Sequence, residues 1–89
     1  MKVRKHFIFT GRVQGVGFRY QATRIARGLG LTGTVCNLWD GSVELEAQGE
    51  EVRIWDLVSA LHHEPYIDIE DMEVEDRPLK EERGFQMTN

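Results

Sequence analysis

The stretch Gly11-Arg12-Val13-Gln14-Gly15-Val16-Gly17-Phe18-Arg19 most restricts what this chain can fold into. Ahead of it lies an apolar, strand-like run, His6-Phe7-Ile8-Phe9-Thr10, and behind it Phe18, Ala22, Ile25, Ala26 and Leu29 recur at helical spacing. A strand must therefore pass into a helix through a turn punctuated by glycines. Gly15 and Gly17 can take positive φ and let backbone N–H groups approach a ligand closely. Successive N–H groups in such a turn form an anion-binding nest, and the helix N-terminus adds its positive end. Arg19 supplies a planar fork suited to two phosphoryl oxygens at once. The stretch reads as a phosphate cradle; a plain tight strand–helix turn would use the same glycines.

The commoner phosphate motifs do not fit. No Lys-Ser or Lys-Thr follows the glycines, which excludes a Walker A loop, and Gly15-Val16-Gly17 lacks the third glycine of a dinucleotide fingerprint. Charge favours an anionic ligand instead. The net charge of -4 conceals a division: residues 1 to 39 carry +7 with no Asp or Glu, and residues 40 to 89 carry -11. The basic part contains the proposed cradle.

Eighty-nine residues leave room for one domain, expected to span residues 1–89. Cys36 is the single cysteine, so no intrachain disulfide or thiol cluster can form, which suits a reducing compartment. The basic start, Lys2 to His6, precedes only three apolar residues, too short for a signal peptide. The cytoplasm is the expected location.

Along the chain, a first strand is predicted from Val3 or Arg4 to Arg12, with Phe7, Phe9 and Val13 facing a core. His6 reads as an exposed strand histidine. A helix over Phe18–Leu29 should stop at a left-handed Gly30. Strands follow over Thr32–Trp39 and Ser42–Gln48, the second with Val43, Leu45 and Ala47 inward and Glu44, Glu46 and Gln48 outward. A second helix over Glu50–His63 carries a stripe of Val52, Trp55, Val58 and Leu61, widened by Ile54 and Leu57. Its terminal His62-His63 pair suggests no metal site, since adjacent helical residues point about 100° apart. Ile67 and Ile69 alternate in one phase and Met72 and Val74 in the other, so a bulge near Glu70-Asp71 is expected in a fourth strand. Phe85 and Met87 suggest a short last strand. The order β-α-β-β-α-β defines an α+β, ferredoxin-like split βαβ sandwich: an antiparallel sheet, two helices on one face, and a short fifth strand.

The string from Gly11 to Arg19 resembles the signature loop of acylphosphatases, small hydrolases of carboxylic–phosphoric anhydrides. A second block, Gly33-Thr34-Val35-Cys36-Asn37 with Asp40-Gly41, Val43 and Gly49, and the closing Gly84-Phe85 extend the resemblance from about residue 5 to the C-terminus. The resemblance implies the same fold and the hydrolysis of acyl phosphates to a carboxylate and inorganic phosphate. It assigns phosphate binding to Gln14, Gly15, Val16, Gly17, Phe18 and Arg19, and catalysis to Arg19 with Asn37, whose amide orients the attacking water. Neither metal nor cofactor is implied. The expected partner is a small-molecule acyl phosphate, with no nucleic acid or membrane, and the chain is expected to be monomeric. Thr34 departs from the family, which commonly has an aromatic residue there.

Two alternatives stay open on the residues alone. A nucleic-acid module of the same fold would need base-stacking aromatics on its central strands, where Glu44 and Glu46 stand instead. A non-enzymatic acyl-phosphate-binding domain would keep the same loop. The assigned role of Asn37 also constrains the hairpin. A two-residue Asp40-Gly41 turn would put Asn37 opposite Glu44 and away from the helices. A three-residue connection with left-handed Gly41 instead sets Asn37 and Val35 on the face of Val43, Leu45 and Ala47. The second arrangement is expected, because only it brings Asn37 to the side of Arg19.

Overall fold

The structure is a computed structural model of residues 1–89. It contains β1 (Lys2–Arg12), α1 (Phe18–Gly28), β2 (Thr32–Asn37), β3 (Val43–Glu50), α2 (Glu51–His62), β4 (Asp68–Arg77) and β5 (Phe85–Thr88). The strands form one sheet in the order β4-β1-β3-β2-β5. This is the ferredoxin-like α+β sandwich, with one change from expectation. The sheet is mixed, because β5 runs parallel to β2 while the other pairs are antiparallel. The chain leaves β4 at the end of the sheet where β2 begins, so it can enter the far edge only alongside β2 in the same direction.

Apolar side chains of the sheet and both helices form one contiguous core. Phe7, Phe9, Val35, Val43, Leu45, Ala47 and Phe85 rise from the sheet to meet Phe18, Ala22 and Ala26 of α1 and Ile54, Leu57, Val58 and Leu61 of α2. Burying each large side chain contributes about 1.5–3 kcal/mol. At the end of α1, the Leu31 N–H reaches back to the Ala26 carbonyl at 3.0 Å, and Gly30 takes φ 73° as the left-handed stop. No helix is long and apolar enough to cross a membrane.

The face of α2 differs from the predicted stripe. Val52 is exposed and Trp55 only partly covered, lying edge-on to Phe7 at 5.8 Å. Steps of three fall short of a 3.6-residue turn, so Val52-Trp55-Val58-Leu61 spirals around the helix. Ile54, Leu57, Val58 and Leu61 stay on one side and are the residues buried.

The expected bulge in β4 is present at Glu70: Thr10 pairs with Asp71 and Gly11 with Ile69, leaving Glu70 unopposed. On the sheet's helix-free face, Gln48 points away from the helices but is buried beneath the connection from β4 to β5. Its amide exchanges hydrogen bonds with both backbone groups of Lys80, at 2.8 and 3.0 Å. Buried Arg4 lies beside it, paired with Glu46 and, at 2.8 Å, with Glu82. His6 is half-buried rather than exposed, with Nε2 at 2.8 Å from Glu44. The Cys36 thiol donates to the same carboxylate at 3.5 Å, and burial pushes that thiol up from its ordinary value. Cys36 therefore stays a thiol in a structural contact, remote from nucleophilic chemistry.

Candidate active site

Gly15 and Gly17 adopt φ of 73° and 82°, and Gly17 is the residue from which α1 starts. No side chain caps this end and no acidic residue occupies the first turn. The first N–H of the region to find a partner is that of Gln21, which donates to the Gly17 carbonyl. The amides of Gly15, Val16, Gly17, Phe18, Arg19 and Tyr20 donate to no backbone or side-chain acceptor. Orphan donors at a helix start ordinarily find a cap, water or ligand. The helix's positive end and Arg19 stand at the same place, a setting that can accept an anion.

Val13, Gly15, Gly17, Phe18, Arg19, Tyr20, Asn37 and Met87 line one open pocket of about 160 Å³. Arg19 and Asn37, eighteen positions apart in the sequence, thus share a pocket. The register explains why. Asn37 stands opposite Val43, and Leu38 donates its N–H to the Ser42 carbonyl at 2.9 Å, leaving Trp39, Asp40 and Gly41 as a three-residue connection. Gly41 takes φ 94°. Val35, Asn37, Val43 and Leu45 consequently share the helix-bearing face, as expected. The side-chain amide of Asn37 bonds to no protein group, so both its donor and acceptor are available.

Gln14 is turned elsewhere. Its Nε2 donates to the carbonyls of Leu38 at 2.8 Å and Ser42 at 2.9 Å, tying the loop to the base of the β2–β3 hairpin. Only its backbone remains for the cradle. Val16 is half-buried and packs on the core, and neither it nor Gln14 lines the pocket. Thr34 lies on the helix-free face opposite Glu46 and does not line the pocket.

Sequence reasoning missed the C-terminal contribution. Arg19 Nη1 donates to the carbonyl of Thr88 at 3.0 Å, and Asn89 Nδ2 donates to the carbonyl of Asn37 at 3.0 Å. Tyr20 and Met87 form a partly apolar rim. The sequence offered one signal for the rim, the exposed Tyr beside Arg19, and none for the two terminal carbonyl contacts.

Folding also redistributes the basic half. Arg4 and Lys5 are engaged by carboxylates, Lys5 by Asp76 at 2.6 Å. Arg19, Arg24 and Arg27 on α1 pair with none, so unneutralised positive charge concentrates along that helix. A second, wholly polar depression of about 390 Å³ lies at the opposite end of β2, lined by Lys2, Thr32, Gln48 and the 80–83 segment.

The architecture is that of a small ferredoxin-like α+β domain with an uncapped, arginine-flanked helix start. The Acylphosphatase family model matches residues 5–87, and the chain belongs to that family. It is 48% identical over 81 residues to an acylphosphatase of Bifidobacterium longum, covering 90% of this chain and 84% of that protein. An acylphosphatase of Nostoc sp. is 43% identical over 86 residues, covering 96% and 85%. Among solved structures, acylphosphatase from Bacillus subtilis superposes with a TM-score of 0.91 at 35% identity, over the full length of both chains. The protein is an acylphosphatase-family hydrolase that cleaves acyl phosphates.

Proposed function

We propose that residues 14–19 bind the phosphoryl group, that Arg19 grips two of its oxygens, and that Asn37 orients the attacking water, without a metal ion. The observation that carries this is that Arg19 and Asn37, whose carboxamide meets no protein group, line one pocket with Gly15 and Gly17 at the uncapped start of α1, where the amides meet no protein acceptor. Water oxygen bonds to phosphorus as the bond from phosphorus to the acyl oxygen breaks. The electron pair leaves on the carboxylate, and the water proton passes to a phosphoryl oxygen. A carboxylate is already a good leaving group, so positioning and charge stabilisation suffice. Preorganised donors aimed at the phosphoryl oxygens supply both.

Support for metal independence comes from the donor set. The pocket lining contains no Asp, Glu, His or Cys, and a helix N-terminus beside an arginine repels a cation. We extend the reading to one domain that acts as a cytoplasmic monomer on free small molecules. The lone Cys36 suits a reducing compartment, and Glu44 and Glu46 on the open sheet face disfavour a nucleic-acid backbone.

The test is hydrolysis of benzoyl phosphate by the wild type with and without EDTA, alongside Arg19→Lys. Lysine keeps the charge but loses the fork. Turnover should be unchanged by EDTA, and Arg19→Lys should lose phosphate inhibition and roughly 10²-fold or more in kcat. Strict metal dependence, or near-normal kinetics in the variant, would overturn the proposal.

A further inference from the structure

A groove of about 540 Å³ runs between α1 and β5, lined by Tyr20, Thr23, Arg24, Arg27, Gln86 and Met87. It shares Tyr20 and Met87 with the pocket that holds Arg19 and Asn37, so the two adjoin. We propose that this groove receives the acyl part of the substrate and selects acyl groups that carry a second anionic group. The assignment rests on the phosphoryl-binding role proposed for residues 14–19.

With the phosphoryl group at the N-terminus of α1, the scissile anhydride lies at the pocket rim. The acyl chain then has a path along the helix over the exposed ring of Tyr20 and the side chain of Met87. Tyr20, Arg24 and Arg27 lie four and seven positions apart on one side of α1. At 1.5 Å rise per residue, Arg24 is about 6 Å and Arg27 about 10 Å further along the axis than Tyr20. Their donors are held but not used up. Arg24 is braced through Nε and Nη2 on the Gln21 side-chain oxygen, at 3.0 and 2.7 Å, leaving Nη1 open. Arg27 Nε donates to the Phe85 carbonyl at 3.0 Å, leaving both terminal nitrogens open. Neither arginine meets a carboxylate of the protein, although fifteen acidic residues are available in the chain. The groove thus offers an apolar, partly aromatic floor followed by two fixed cations, the complement of an acyl group ending in a carboxylate. Thr23 adds no charge: its hydroxyl is committed to the Arg19 carbonyl at 2.7 Å.

Any part of a preference for a carboxylated substrate that comes from the general field of the protein should survive Arg24→Gln, and only the part owed to the groove should be lost. The experiment compares benzoyl phosphate with 4-carboxybenzoyl phosphate at low ionic strength, using the wild type, Arg24→Gln, Arg24→Lys, Arg83→Gln and Arg19→Lys. The wild type should favour the carboxylated substrate about three- to fivefold, as exposed ion pairs allow, and the preference should shrink as salt is added. Arg24→Gln should clearly reduce the ratio of the two kcat/KM values, with Arg27 keeping the remainder. Arg24→Lys should restore it, and removing the same charge at Arg83, which does not line the groove, should leave it as in the wild type. A wild-type preference for the neutral substrate, or a ratio that Arg24→Gln does not move, overturns the subsite. Those outcomes are distinct from failure of the phosphoryl site, which would appear as Arg19→Lys retaining turnover of both substrates.

Discussion

Arg19 Nη1 donates to the main-chain carbonyl of Thr88 across 3.0 Å, joining the first turn of α1 to the last strand. Asn89 makes the matching contact to the Asn37 carbonyl. The C-terminus thus steadies the Arg19 side chain and the Asn37 backbone, contacts that the core does not need. Deleting Thr88 and Asn89 should leave the fold intact while freeing the Arg19 side chain. Immobilising such a side chain costs about 0.5–1.5 kcal/mol, so kcat/KM should fall roughly two- to tenfold. Steady-state kinetics beside a thermal melt checks this. A large loss of Tm with an unaltered kcat/KM in the remaining folded protein would contradict it.

Gly15→Val addresses the shape of the cradle. A Cβ at Gly15 would meet nothing within 4 Å, so the substitution is opposed by backbone conformation and not by crowding. At φ 73° an L-residue costs roughly 1–2 kcal/mol, and β-branching adds to this. The loop should relax to negative φ and turn its amides apart. The inhibition constant for inorganic phosphate should rise about tenfold or more, with the melting temperature little changed. Phosphate inhibition as tight as in the wild type would show that this amide geometry is not used.

Glu82 links stability to pH. Burial alone would raise its carboxyl, yet the hydrogen bonds and charge of Arg4 hold it below the ordinary 4.5. Glu44 is also lowered, chiefly by its hydrogen bond from His6. Between these depressed values and 4.5 the unfolded chain binds more protons than the folded one. Their contribution is therefore fully present above about pH 4.5 and is lost as pH falls through the folded values. Glu82→Gln should cost about 1 kcal/mol at neutral pH, roughly 4–8 °C for a domain of this size, and should flatten the decline below pH 4.5. Melting temperatures from pH 7 to pH 3 test both parts; an unchanged acid slope would remove Glu82 from the account.

What the sequence revealed and what it withheld divides along contact range. The strand–turn–helix passage is local, written in Gly15, Gly17 and the apolar spacing that begins at Phe18. The hairpin register needed more, since Asp40-Gly41 by itself suggests the tighter turn. Only the requirement that Asn37 face Arg19 pointed to the three-residue connection. Contacts closing over longer distances were invisible. Whether Gln48 is solvated depends on where residues 80–82 cross, and His6 meets Glu44 only once β1 and β3 pair. The parallel entry of β5 follows from the path of the 78–84 connection, to which no periodicity speaks. The two terminal carbonyl contacts lie in the same class.

Asn37→Ala separates binding from chemistry. The proposed phosphate grip consists of the loop amides and Arg19, to which Asn37 adds no backbone donor. The β2–β3 register is held by main-chain hydrogen bonds and by Gln14 reaching the Leu38 and Ser42 carbonyls, so losing the carboxamide should not move the hairpin. The Asn37 carbonyl also remains to accept from Asn89. What disappears is the group that both donates to and accepts from water beside the phosphoryl site. Misplacing a reactant by about 1 Å can cost roughly 10²-fold, so kcat should fall by about that factor. The inhibition constant for phosphate should stay within about twofold of the wild type. Asn37→Asp is the companion variant: it keeps the shape but adds an anion next to the phosphoryl group, so it should weaken phosphate binding as well as turnover. Measuring kcat and phosphate inhibition in both variants decides the matter. Equal losses of binding and turnover in Asn37→Ala would make Asn37 a phosphate ligand, and unchanged kcat would remove it from the reaction.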